Sequence, residues 1–227
     1  MIRELGDNHN LDSIVVDYEA AVWQSIKECL PTVEIHGCAF HFAQAVYRNV
    51  QSLGLAADYN NKTWVTTVVR RLFALPFLPH RKIKNAFENI ISENDSNDPR
   101  IAELFNYFER TWLRSVIWSP RNISVYHRLV RTNNDVEGYH RRLNNLCRID
   151  HPPFYKLLPI LFNESKLTRT TAKLVSNQAV KLQRRKQTTE TQAQISELWD
   201  KYDAELIEEK EFISVFSSLM AFKVPNN

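Results

Sequence analysis

Glycine occurs only four times in the 227 residues, at positions 6, 37, 54 and 138. Tight β-turns need glycine wherever φ must be positive, so this scarcity disfavours a β-rich fold and favours helices. The exception lies early. Ser13-Ile14-Val15-Val16 is a short β-branched run of the kind buried in a sheet, and it ends at Asp17. From Tyr18 the period turns helical, with Ala21, Val22, Ile26 and Leu30 recurring before Pro31. Thr32 to Phe42 begins as a second strand, Val33 and Ile35 alternating with polar residues, and passes through Gly37 into Cys38-Ala39-Phe40-His41. Strand, helix and strand in this order predict a βαβ unit, usually parallel.

Beyond it the pattern is helical nearly to the end. Helices are predicted over roughly 42–53, 62–75, 80–92, 99–117, 133–146, 154–178 and 188–220. The breaks between them fall at Pro76 to Pro79, Ser92 to Pro99, Ser119-Pro120 and His151-Pro152-Pro153. Two strands leave an apolar edge and are too few for a stable sheet, so further strands are expected upstream.

A net charge of +3 and a pI near 8.7 exclude a whole-surface electrostatic clamp on DNA, so any nucleic-acid surface must be local. Cys29, Cys38 and Cys147 are too few and odd in number for a disulfide framework, which points to a reducing compartment. No signal-peptide pattern and no apolar run of about 18 residues occurs, so a soluble intracellular protein without a membrane partner is expected.

Asp17, at the carboxyl end of a buried strand, is placed to project its carboxylate into a crevice. Its bland alternative is capping of the helix that follows. A second acidic candidate lies in Arg131-Thr132-Asn133-Asn134-Asp135-Val136-Glu137-Gly138-Tyr139-His140-Arg141-Arg142-Leu143-Asn144. Thr132 and Asp135 read as a capping box that starts a helix at Asn133 and puts Glu137 in its second turn. Val136, Tyr139, Leu143 and Leu146 then form an apolar stripe that anchors the helix, on a face other than the polar one holding Asn133, Glu137, His140 or Arg141, and Asn144. The alternative for Glu137 is an i,i+4 pair with Arg141 on a solvated face. Cys38 and His41 form a C-x-x-H pair, read either as a packed thiol with a hydrogen-bonded histidine or as part of a zinc site completed by His140 or Cys147. One pair supplies only two of the four usual ligands, so zinc is not expected.

Several blocks then occur in order: Asp17-Tyr18-Glu19-Ala20-Ala21, Gly37-Cys38-Ala39-Phe40-His41 with Gln44, Gly54-Leu55 and Tyr59, Leu75-Pro76-Phe77-Leu78-Pro79, Trp112, and Arg131-Thr132-Asn133-Asn134-x-x-Glu137-Gly138-x-His140. Together, over about residues 10–165, they resemble the transposase domain of Mutator-like elements (MULE) and related bacterial insertion-sequence enzymes. The resemblance implies an α/β fold: a mostly helical fragment of an RNase H-like DDE transposase core, keeping two strands, with a helical insertion and a helical C-terminal tail. By role, residues 1–50 would be the partial core, 51–130 the insertion, 131–186 the glutamate-bearing helix with those completing the core, and 187–227 an amphipathic tail.

Carried over by position, Asp17 matches the second aspartate of the triad and Glu137 the glutamate. Both would be catalytic and metal-holding. The first aspartate belongs to an earlier strand, and neither Asp7 nor Asp12 is a convincing substitute, so these residues would be a truncated and catalytically incomplete part of the enzyme. The implied cofactor is Mg²⁺ or Mn²⁺, the implied activity cleavage and strand transfer at transposon ends, and the implied partners transposon-end and target DNA. Nuclear residence follows from that substrate. Asn134, His140, Arg141 and Arg142 would contact the DNA near Glu137. The rival expectation is a transposase-derived DNA- or protein-binding protein without enzymatic activity.

Other basic clusters, Arg70-Arg71, His80-Arg81-Lys82 and Lys181 to Lys186, are read as phosphate contacts or as ordinary solvated helix faces. Trp64, Trp112 and Trp118 are read as core, with base stacking as the alternative. Ile195, Leu198, Trp199, Tyr202 and Leu206 make the tail amphipathic, to dock on the core or to pair with another subunit as a homo-oligomer.

Overall fold

The structure is a computed structural model that describes residues 11–176 and 186–219. It is mostly helical with one two-stranded parallel sheet, an α/β arrangement. Strand β1 (Ser13–Val16) pairs with β2 (Glu34–Gly37) in the register Ser13 to Glu34 through Val16 to Gly37, and helix α1 (Ala20–Cys29) makes the crossover. The ladder runs one step further, since the Cys38 N–H donates to the Val16 carbonyl (2.9 Å). Among the described residues nothing extends the sheet. Instead α1 covers it, burying Trp23, Ile26 and Leu30 against Val33 and Ile35.

The helices that follow are α2 (Ala39–Ser52), α3 (Ala56–Asn60), α4 (Trp64–Ala74), α5 (His80–Ser92), α6 (Pro99–Phe108), α7 (Pro120–Ile123), α8 (Asn134–Cys147), α9 (Phe154–Ser176), α10 (Lys186–Asp203) and α11 (Glu209–Leu219). The short α3 falls between two of the predicted helices, and α7 begins at the break predicted at Ser119-Pro120. α7 begins at a capping box in which Ser119 and Asn122 bond reciprocally, an amide standing where glutamate or glutamine is usual. The helix expected over 188–220 is two helices: Glu205, at φ 55°, turns the chain between α10 and α11 without a glycine.

By packing, the described residues fall into two compact units, one within Met1–Asn133 and Ala193–Asn227 and the other within Asn134–Gln192. In the first, α2 to α7 close around Phe42, Leu72, Phe77, Phe87, Phe108 and Trp112, joined by Trp199, Phe212 and Phe216 of α10 and α11. The tail therefore docks on the helical core. The Leu75-Pro76-Phe77-Leu78-Pro79 block gives the tail one polar anchor, because its prolines interrupt the helix and leave carbonyls in need of donors. Each finds one: Pro76 O accepts from the Val125 N–H (2.7 Å), Phe77 O from Trp199 Nε1 (2.9 Å) and Leu78 O from Ser124 Oγ (2.8 Å). Asp203 adds hydrogen bonds with Tyr126 and, at 2.6 Å, with His127 Nε2.

In the second unit α8 and α9 are joined by a two-pronged ion pair, Arg142 Nε and Nη2 reaching Glu164 at 2.9 and 3.0 Å. Cys147 and Glu164 are the buried side chains of this unit among the described residues. The stripe expected to anchor α8 does not: Val136, Tyr139 and Leu146 are exposed, and Leu143 is half-buried.

Candidate functional site

The site begins with an aromatic plug. Tyr18, directly after the strand-end aspartate, is stacked on Trp23 and meets Trp112 and Trp118 edge-on, with centroids 4.7 and 5.6 Å away. It touches both hydrophobic clusters of this unit and so ties the sheet to the helices. Gly37 is required beside it, because a Cβ there would lie 2.1 Å from the Tyr18 ring. Burial, and then the nearby Cys38, push the Tyr18 phenol well above its ordinary range, so its role is packing rather than proton transfer.

That plug fixes the backbone at Asp17. The Asp17 carbonyl accepts from Trp23 Nε1 (2.7 Å), and the residue capping α1 is Glu19, whose side chain makes no capping bond. The capping role considered for Asp17 is thus overturned, since α1 starts at Ala20, too far along for Asp17 to be its cap. Its carboxylate, 48% exposed, points elsewhere: Oδ1 accepts from Asn133 Nδ2 at 2.6 Å and lies 2.8 Å from His41 Nδ1.

Two backbone hydrogen bonds explain how these groups meet. The Cys38 N–H continues the strand ladder to Val16, which sets the start of α2 beside the end of β1, and the Ala39 N–H donates to the Arg131 carbonyl (2.9 Å), which lays residues 131–133 across that start. Arg131 is itself held over the Trp199 ring at 5.7 Å, and burial lowers its pKa. Cys38 is fully buried at the N-terminal end of α2. Burial raises its thiol pKa, opposed by the backbone N–H groups of His41, Asn133 and Phe40 and reinforced by the Asp17 charge. One donor atom each from Asp17, Cys38 and His41 lies within 4.8 Å of the others.

The remaining sequence candidates lie on α8 of the second unit. Glu137 is half-buried in the first turn, one turn earlier than expected, because α8 starts at Asn134 rather than Asn133. Asn134, His140 and Arg141 are exposed on the same helix, while Arg142 is engaged by Glu164. Within the first unit, among the described residues, Asp17 joins Cys38 and His41. Asn133, which the sequence reading put merely on a polar helix face, is the group that bonds Asp17. Its place beside Asn134 in the Thr132-Asn133-Asn134 block was the available signal.

Elsewhere Trp112 is buried and Trp118 packs against both clusters, whereas Trp64 is 45% exposed and lines a cavity of about 530 Å³ with Arg71 and Glu93. Arg71 is paired to Glu93 (2.6 Å), and His80, Arg81 and Lys82 are solvent-exposed at the start of α5. Asp12 is exposed, its backbone carbonyl accepting from the Glu34 N–H (3.0 Å). Asp7 and the basic residues Lys181 to Arg185 lie outside the described residues, as does the side chain of Lys186. No helix among the described residues is long and apolar enough to cross a membrane. No protein-family model, no curated protein and no solved structure matches the chain.

Proposed function

We propose that the chain is the C-terminal part of a DDE-type transposase catalytic domain of the Mutator-like kind, with an RNase H-like core, whose parent activity is metal-dependent DNA cleavage and strand transfer at transposon ends in the nucleus. In this reading Asp17 and Glu137 are two of the three acidic ligands, and these 227 residues alone are catalytically incomplete. The observation that carries it is the 2.6 Å hydrogen bond from Asn133 to Asp17. It ties the strand-end aspartate to the Arg131-Thr132-Asn133-Asn134 block on which the resemblance rests, and Glu137 follows four residues later in the chain. Covalent connectivity therefore holds the Cα atoms of Asn133 and Glu137 to within about 14 Å.

The donor set at Asp17 departs from the Mg²⁺ chemistry that the resemblance implies. A pair of Mg²⁺ ions takes oxygen ligands and bridging carboxylates, whereas the first unit gathers one oxygen, one nitrogen and one sulfur around Asp17. The described residues of that unit do not fit a two-Mg²⁺ centre, and the first aspartate of the triad has no convincing counterpart in the sequence, so this chain by itself is proposed to bind DNA without turnover. Exposed Asn134, His140 and Arg141 would contact phosphates.

A supercoiled-plasmid assay with Mg²⁺ or Mn²⁺, run beside a salt series of duplex binding, tests this reading. Steeply salt-dependent binding with nicking at the protein-free level is expected. Robust nicking abolished by Glu137→Gln would contradict the incompleteness, and absence of DNA binding at low salt would contradict the DNA reading. The rival is a transposase-derived DNA- or protein-binding protein without enzymatic activity, and the exposed aromatic residues Phe154, Tyr155 and Phe162 of α9 support its protein-binding form. Binding to DNA that is unchanged in Asp17→Asn and in Arg141→Ala would favour it.

A further inference from the structure

The mismatch between an Mg²⁺ site and the groups around Asp17 has a chemical resolution. Thiolate and imidazole are ligands of borderline transition metals such as Zn²⁺, and affinities of such sites rise along the first-row series to Cu²⁺ and drop again at Zn²⁺, while Mg²⁺ holds oxygen and water. We propose that Asp17, Cys38 and His41 form a mononuclear site for a borderline divalent transition-metal ion of the Zn²⁺ class.

The geometry is close to what such an ion needs. Metal–ligand bonds of about 2.0–2.3 Å in a tetrahedron set donors roughly 3.3–3.8 Å apart. The three donors here lie within 4.8 Å of one another. Closing that spread takes shifts on the order of 1 Å, which the half-exposed Asp17 side chain can supply by rotation. The ring of His41 sits in the first turn of α2 and the sulfur of Cys38 at its start, so one rigid element presents both.

A further polar atom is left over at the same place. Asn133 Oδ1 is buried with no hydrogen-bond partner, on the amide whose nitrogen already bonds Asp17. A cation beside Asp17 gives that oxygen a favourable electrostatic partner. Three protein ligands leave a fourth position for water. On binding, the Cys38 S–H bond breaks, its electron pair goes to the metal and the proton goes to the buffer. The site shares Asp17 with the proposed function but needs neither Glu137 nor DNA, so its Co²⁺ test reads out independently of nicking and of duplex binding.

Co²⁺, titrated into the full chain, is the probe. The expected result is a thiolate-to-cobalt charge-transfer band with tetrahedral visible absorption, displaced by Zn²⁺ and untouched by a large excess of Mg²⁺. Cys38→Ser should remove the charge-transfer band, whereas Cys29→Ser, Cys147→Ser and Glu137→Gln should keep it. Asp17→Asn and His41→Ala should each weaken Co²⁺ binding by at least about 10-fold. Asp17→Asn changes a half-exposed side chain without altering its volume, so it reports on the site even if Cys38→Ser proves unstable. Absence of the band in a chain with native helical circular dichroism overturns the proposal. So does a band that survives Cys38→Ser, or unchanged affinity in both Asp17→Asn and His41→Ala.

Discussion

The two units hold themselves together by different means. The first buries a continuous apolar cluster from α2 to α7 and α10 to α11, plus a smaller one between α1 and the sheet. The second, α8 with α9, buries only Cys147 and Glu164 among its described residues, and exposes Tyr139, Phe154, Tyr155 and Phe162. Hydrophobic burial is the dominant favourable term in folding, so the first unit has its own source of stability and the second leans on helix hydrogen bonds and the Arg142–Glu164 pair. The candidate carboxylates thus stand on unequal supports. Asp17 is clamped by Trp23, Tyr18 and Asn133, whereas Glu137 rides on a helix with little buried surface. The proposed metal-holding role asks for both carboxylates on rigid supports, and the second unit is where that support is weakest.

Substitutions can break or sharpen this contrast. The largest expected effect is Phe108→Ala in the first core, a loss of about 3–5 kcal/mol in urea denaturation, set against Tyr155→Ala in the second unit, which should change stability by no more than about 0.5 kcal/mol. Equal effects would erase the distinction. Next comes Gly37→Ala, which forces a Cβ into the Tyr18 ring and should cost about 1–3 kcal/mol and loosen the Asp17 backbone. Hydrogen exchange at Val16 to Tyr18 measures the second consequence, and unchanged protection there would show that the plug does not position Asp17.

A smaller effect concerns acid stability. Arg121, Arg128 and His36 hold the Glu34 carboxyl down at about 2, below its ordinary value of 4.5. A depressed carboxyl pKa contributes stability that is present above the unfolded value and lost as pH falls, here between about 4.5 and 2. Glu34 is 45% exposed, so solvent screening limits the contribution to no more than about 1 kcal/mol. Burial lowers the pKa of His36, which shifts in the same sense and adds a loss that begins just below pH 6.5. Glu34→Gln should flatten the acid limb of a stability–pH curve, and an unaltered limb would remove this ion cluster from the account. Last, Arg141→Ala should lower the slope of DNA affinity against salt by about one counterion, whereas Arg142→Ala, whose guanidinium is held by Glu164, should lower it less.

Much of this arrangement was legible in the sequence, and the reasons it was legible mark where legibility ended. The run Ser13 to Val16, the crossover helix, the parallel partner and most long helices follow from local period, which needs only neighbours in the chain. So did the position of Asp17 at a strand's end. The contact of Asn133 with Asp17 joins groups 116 positions apart and has no periodic signature. Nor does the fit of Gly37 to Tyr18, or the capture of the Pro76 to Leu78 carbonyls by Ser124, Val125 and Trp199. The turn at Glu205 was hidden because nothing in 188–220 is a glycine or proline. For α8 the periodic signal misled: Val136, Tyr139 and Leu146 form a stripe at helical spacing, but a stripe predicts burial only where another surface covers it.

The proposed function requires the carboxylates of Asp17 and Glu137 to serve one crevice. With Cys29, Cys38 and Cys147 replaced by serine, and native circular dichroism verified, the pair Asp17→Cys and Glu137→Cys should be joined rapidly by a short bifunctional thiol reagent. The pair Asp17→Cys and Leu174→Cys is the control against which that rate is read. No faster joining at 17 and 137 than at the control pair would contradict the account.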